Sequence, residues 1–203
     1  MATTTTTTPE VKQARQRVPA AERRDALIDA AIHEFAQTGL HGTPVDRIAR
    51  RVGVAQPYVF SLFSSKRELF LQAVERCFQK VYEMLAEAAA EFDPAVALPD
   101  STALAPMANA YIEQLDANRD ILLLQQHAYA AWGDDQVRPR VRACYERLQA
   151  QIKELSGADD ETVEDFFRYG MWINVNAALG LEDFCQELHW RSDDPEAGIG
   201  PTK

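Results

Sequence analysis

The chain has 203 residues, 46% of them hydrophobic and 26% charged, enough for one or two domains with a buried core. The formal net charge is −10, which argues against a protein that coats nucleic acid or anionic membrane over its whole surface. No run approaches the roughly eighteen apolar residues of a membrane helix, and no charged-then-apolar start suggests secretion. Three widely spaced cysteines, Cys77, Cys144 and Cys185, fit neither a zinc site nor a disulfide framework, and reduced thiols in a cytoplasm are expected.

The charge is unevenly divided. Residues 1–66 hold nine Lys/Arg against six Asp/Glu, a net +3, so the remainder carries −13. Phosphate contact requires a local basic surface, not a basic protein.

Residues 1–18 open with a threonine run and continue into a loose basic arm, Lys12, Arg15 and Arg17. They have little to bury and are expected to be disordered. Such an arm can lie along phosphates or enter a minor groove; a solvated tail is the alternative. A first helix is predicted over about 20–38. Leu27, Ile28, Ala30, Ala31 and Phe35 form its apolar stripe, and Arg23 and Arg24 are exposed near its start. Gly39 ends it. His33 and His41 have no ligand-spaced partner.

The stretch 43–69 reads as two short helices around a tight turn, followed by a third helix. Thr43 is the expected N-cap, with Pro44 at the first helical position. Val45, Ile48, Ala49 and Val52 share one face, while Arg47, Arg50 and Arg51 lie off it. Gly53 can take the left-handed conformation that stops a helix. A helix of under two turns then fits 56–62, with Val59 and Phe63 inward and Gln56, Tyr58 and Ser61 outward. Ser65 and Glu68 have capping-box spacing for the next helix. Two short helices braced around a glycine turn make a helix-turn-helix, whose second helix presents side chains to the major groove. An ordinary helical hairpin is the alternative.

The motifs are specific enough to name a resemblance. Phe35-Ala36-Gln37-Thr38-Gly39, then Thr43 to Ala49, then Gly53-Val54, Phe63 and Ser65 to Phe70 follow one another without gaps. In this, residues 24–70 resemble the DNA-binding domain of the TetR (tetracycline-repressor-like) family. The resemblance implies an all-α regulator with an N-terminal DNA-binding domain (19–70), a helical ligand-binding and dimerisation domain (71–190) and a flexible tail (191–203). Thr43, Arg47, Gln56, Pro57, Tyr58, Phe60, Ser61 and Lys66 are the expected DNA contacts. Four positions depart from the family pattern. Ala55 replaces the usual serine cap, Phe60 a usual tyrosine, and Leu62 a histidine or tyrosine, so two polar phosphate contacts are lost. Tyr58 stands where a small residue is common; its phenol can reach a phosphate or base edge and its ring a thymine methyl.

A long helix is predicted over 65–90, about 38 Å at 1.5 Å per residue, linking the reading head to the C-terminal half of the chain. Asp93-Pro94 breaks it. Further helices are expected near 106–116, 119–132, 136–155 and 160–188, the last capped by Asp159 or Asp160 with acidic residues in its first turn. The resemblance implies that the last two form the homodimer interface, with small Gly170, Ala177, Ala178 and Gly180 allowing close approach; the two helices closing one protomer's own core is the alternative. A two-fold dimer suits a palindromic operator on double-stranded DNA.

The resemblance also implies a small-molecule effector. Met107, Tyr111, Gln125, His127, Tyr129, Trp132, Phe167, Met171, Trp172 and Asn174 supply pocket material for an apolar or aromatic compound, though buried aromatics are also ordinary core. Asn174 and Asn176, amides in an apolar helix, need partners. No catalytic or cofactor-binding motif stands out. The expected function is a ligand-released, cytoplasmic DNA-binding regulator, of repressor type. A helical binding or scaffold protein with weakened DNA contact and a small helical enzyme are the rivals.

Overall fold

The computed structural model describes residues 19–95, 97 and 102–181; the basic arm, Cys185, the end of the last predicted helix and the tail lie outside them. The described residues form eight α-helices and no strand: α1 Ala20–Gly42, α2 Val45–Val52, α3 Gln56–Leu62, α4 Lys66–Ala90, α5 Leu104–Ala117, α6 Asp120–Ala130, α7 Val137–Ser156 and α8 Asp160–Ala178. A 3-10 turn, Ala131–Gly133, joins α6 to the loop before α7.

The apolar stripes read from the sequence pack as their period requires. Leu27, Ala31 and Phe35 of α1 meet Phe70, Val74 and Cys77 of α4 in one continuous buried cluster that extends through α6 and α7. Phe35 stands edge-on to Phe70 at a 5.1 Å ring separation, a favoured aromatic geometry. The reading head and the body therefore share a core. A smaller cluster, Leu115, Leu122, Ile173 and Ala177, ties α5, α6 and α8 together.

Local signals hold in part. Gly53 adopts φ 70°, ψ 34°, and its N–H donates to Ala49 and Arg50 carbonyls, closing α2. Ser65 caps α4 by accepting from Glu68 N at 3.1 Å, but the Glu68 carboxylate bonds Gln72 and Arg140, so only half of a capping box forms. Asp159 caps α8 through Thr162 N.

Three expectations are corrected. Thr43 is not the cap of α2; Pro44 holds that position without a side-chain bond. The Thr43 hydroxyl instead turns back to the end of α1, within 2.8 Å of the Gly39 carbonyl and 3.1 Å of Glu34 O. Gly39 does interrupt the first helix as expected, with φ 66° and ψ −174°, and a short helical turn then runs on to Gly42. Helix α8 ends at Ala178 rather than near Leu188, and Gly180 follows with φ 71°.

Candidate functional site

Helix α3 is a short rod held from beneath. Val59 and Phe63 are almost fully buried, while Gln56, Pro57, Phe60 and Ser61 are exposed and Tyr58 is half-buried. Phe60 is 44% exposed, a large ring facing water beside the polar Gln56 and Ser61. The Ser61 hydroxyl donates to Tyr58 O at 2.6 Å, leaving its oxygen lone pairs outward.

The residue that anchors this helix reads from sequence only as an exposed charge. Arg24 of α1 donates to Leu62 O at 2.8 Å and to Gln72 Oε1 at 2.6 Å. Its guanidinium lies 4.5 Å above the Phe63 ring, a cation–π contact. It thereby satisfies a carbonyl at the C-terminal end of α3 and ties that end to α1 and α4. A buried carboxylate does the same for α2. Glu34, 5% exposed, lies 3.5 Å from Arg47 and 3.2 Å from Arg51. No spacing rule links positions 34 and 51, so neither anchor has a local signature.

The expected DNA residues divide accordingly. Gln56, Pro57, Tyr58, Phe60 and Ser61 share the outward side of α3, and Arg47 is half-exposed beside Glu34. Lys66 donates to His41 O at 3.1 Å, and partial burial lowers its ammonium below the ordinary lysine value. Thr43 drops out: its side chain is fully buried and committed to α1.

The body holds a cavity among α4, α5, α6, α7 and α8. Tyr111, Gln125, Tyr129, Phe167, Met171 and Asn174 line it, as expected, and so do Tyr145, Phe166 and Tyr169. Its enclosed space is about 50 Å³, room for a few waters rather than a drug-sized ligand. Tyr145 stands edge-on to Tyr129 and Phe167, at 6.3 and 5.5 Å. At the polar end, the Tyr111 hydroxyl lies 2.7 Å from Asn174 Oδ1 and 3.2 Å from Gln125 Oε1. Burial pushes the phenols of Tyr111 and Tyr129 well above the ordinary tyrosine range, so both stay protonated.

Four expected pocket residues are elsewhere. Met107 is fully buried core. His127 packs against Gly39 of α1, at the junction of reading head and body. Trp132 is 67% exposed and lines an open outer cleft. Trp172 is also at the surface, stacked on Tyr169 at 5.9 Å. Asn176 bonds the Trp172 carbonyl, so it is no pocket group. Helical period puts these side chains on a face but does not say which neighbour that face meets.

Of the four small residues near α8, Ala178 and Gly180 are exposed. Ala177 is buried within the protomer and Gly170 lines the cavity. The apolar groups left outward on and just after α8 are Trp172, Val175, Leu179 and Leu181, 37%, 49%, 68% and 50% exposed. Trp172, Val175 and Leu179 recur at helical spacing and make one stripe.

Salt bridges fasten the two halves. Arg67 bonds Asp134 and Gln136 at 2.8 and 3.0 Å, and Arg140 reaches Glu68 at 2.7 Å and Glu75 at 2.5 Å. His33 Nδ1 lies 2.6 Å from Asp120 Oδ2, a partner far along the chain that sequence could not supply. Burial raises the Cys77 and Cys144 thiols, so both are poor nucleophiles. Among the described residues no His/Cys/Asp/Glu group could hold a metal, and no helix is long and apolar enough to cross a membrane.

Residues 27–73 match the family model described as bacterial regulatory proteins, tetR family. The chain is similar to the HTH-type transcriptional activator FasR of Mycolicibacterium smegmatis, at 43% identity over 60 residues, 30% of this chain and 27% of that one. It is also similar to IcaR of Staphylococcus epidermidis, a negative transcriptional regulator of the biofilm operon icaADBC, at 31% identity over 62 residues, 30% of this chain and 34% of that one. These matches thus span about a third or less of each curated relative. A solved TetR-family member from Streptomyces coelicolor A3 shares the fold more widely, with a TM-score of 0.63, 22% identity, and coverage of 82% of this chain and 95% of that one.

Proposed function

We propose that this chain, whose residues 27–73 match the tetR family model of bacterial regulatory proteins, regulates transcription as a DNA-binding homodimer whose hold on its operator is released by a small molecule. The observation that carries the reading is α3 itself. It buries Val59 and Phe63, is tied down by Arg24, and turns Gln56, Pro57, Tyr58, Phe60 and Ser61 to solvent. A helix so held can enter a major groove without rearrangement. Tyr58, Gln56 and Ser61 supply polar contacts, Phe60 an apolar face for thymine methyls, and Arg47 and Lys66 grip phosphate. The N-terminal arm carries further basic residues, Lys12, Arg15 and Arg17.

Dimerisation uses α7 and α8. The stripe Trp172, Val175 and Leu179 supports a partner on the outer face of α8, not on the small-residue face expected from sequence. Two reading heads related by a two-fold axis select a palindromic operator. Relatives include both an activator and a negative regulator; release from the operator on effector binding makes this chain a repressor. It acts in the cytoplasm, where its operator is.

The effector site is the cavity between α4 and α8. A ligand that fits only when α4 shifts relative to α6 and α7 moves the reading heads, because α4 carries both the cavity wall and Gln72, which holds the Arg24 that anchors α3. Coupling of this kind requires the ligand to prefer one arrangement over the other. The test is a gel shift of the full chain against DNA flanking its own gene, at low and moderate salt. Specific retardation that weakens with salt is expected. No retardation at low salt sinks the reading in favour of a binding protein without DNA contact.

A further inference from the structure

The cavity in the body states more about its occupant than size and greasiness. None of the described residues lining it is Asp, Glu, Lys, Arg or His. A ligand carrying a full charge would lose its hydration there with no counter-ion in reach, a penalty that ordinary apolar contact does not offset. The polar groups that do line it are gathered at one place. Gln125 and Asn174 are each 3% exposed, and the Tyr111 hydroxyl lies between them.

That cluster has capacity to spare. Tyr111 has one phenolic proton, so it can donate to only one of the two amide oxygens. The closer, Asn174 Oδ1 at 2.7 Å, takes it. The phenol oxygen then accepts from the Gln125 amide turned NH2-first, which is compatible with a 3.2 Å contact. One amide NH2 edge and one amide carbonyl remain for another partner, on side chains that line the cavity.

Space runs outward from this cluster. Tyr129, Tyr145 and Met171 line both the cavity and the open outer cleft of about 360 Å³ beside Trp132. The cleft is also apolar, and its two arginines, Arg138 and Arg142, are held by Asp135 and Glu146.

We propose that the effector is an uncharged molecule with an apolar, ring-sized body and one carbonyl or hydroxyl oxygen, and that the Tyr111–Gln125–Asn174 cluster reads that oxygen. The body lies outward between Tyr129, Tyr145 and Met171, which must part to admit it. Charged acids and amines of the same shape are rejected by the absence of a counter-ion. This rests on the cavity being the effector site.

The test uses the full chain and four probes with one apolar body: methyl 3-phenylpropanoate, 3-phenylpropanoate, 3-phenylpropylamine and propylbenzene. Calorimetric titration near pH 7.5 is expected to show the ester binding about ten-fold tighter than each of the others. Tyr111→Phe, which keeps the ring, or Asn174→Leu is expected to cut ester affinity about ten-fold and leave propylbenzene unchanged. The class is overturned if the carboxylate or the amine matches the ester, if ester and hydrocarbon bind alike, or if the ester does not bind saturably. Gly170→Phe separates the two readings, since no atom lies within 4 Å of a Cβ there and the added ring would fill the cavity. Ester binding that survives this substitution overturns the effector-site reading itself.

Discussion

Replacing Gly39 by alanine tests how the reading head is joined to the body. Gly39 is buried, with φ 66° and ψ −174°, a region open almost only to glycine. Holding an alanine there costs about 1–3 kcal/mol. A Cβ would also come within 2.7 Å of His127 Nδ1 and 3.2 Å of its Cγ. The imidazole belongs to α6, so it cannot swing freely away, and overpacking of this kind costs about 1–3 kcal/mol more. Gly39→Ala is therefore expected to destabilise the chain by about 2–6 kcal/mol in urea unfolding followed by two probes at fixed protomer concentration. The two contributions separate in a double-mutant cycle. In a His127→Ala background the clash is gone and the backbone cost remains, so the double variant should be about 1–3 kcal/mol more stable than additivity predicts. A Gly39→Ala cost below about 1 kcal/mol, or simple additivity with His127→Ala, would refute the reasoning.

Other substitutions probe the remaining surfaces. Tyr58→Ala should weaken and broaden operator recognition, while Lys66→Ala should lower affinity for all sequences and reduce the salt slope by about one; unchanged binding isotherms would remove these residues from the interface. Phe60→Ala, at an exposed position, should change stability by no more than about 0.5 kcal/mol yet reduce DNA affinity. Leu179→Lys on the outer stripe of α8 should turn the dimer into monomers in sedimentation velocity; an unchanged dimer would place the interface elsewhere. The Gln72 amide, with Arg140 beside it, outweighs partial burial and holds the Glu68 carboxyl below its ordinary value. Its contribution to stability is therefore present above the ordinary carboxylate range and lost as pH falls through the lowered value. Glu68→Gln should remove that part of the acid-side decline.

What is legible in sequence is what the chain settles locally. The turn at Gly53, the inward set Val45, Ile48 and Ala49, and the cap at Ser65 depend on residues within a few positions of one another, and all appear in the structure. Asn174 stands out because an amide in an apolar helix must meet a partner, but the same reasoning picks out Asn176, which only bonds the Trp172 carbonyl. Partners far apart in sequence are not legible. The Thr43 hydroxyl suits a cap, and only the close return of α1 shows that it bonds Gly39 instead. His127 has the period of a cavity residue, but α6 also faces α1, and that is the side on which it lies. Trp132 and Trp172 look like core by composition, yet each sits where a helix ends or turns its outer face to solvent. Arg24, Glu34 and His33 are polar groups whose partners a sequence reading does not supply, because those partners lie 38, 17 and 87 positions away.

The most direct test is a hydroxyl-radical footprint of the full chain on DNA upstream of its own gene. Two protected half-sites on one face of the duplex are predicted, related by a two-fold axis and about one helical turn or a multiple of it apart, and both should vanish together with Tyr58→Ala. A single unsymmetrical footprint, or half-sites that persist when Tyr58 is truncated, would contradict a paired reading head built on α3.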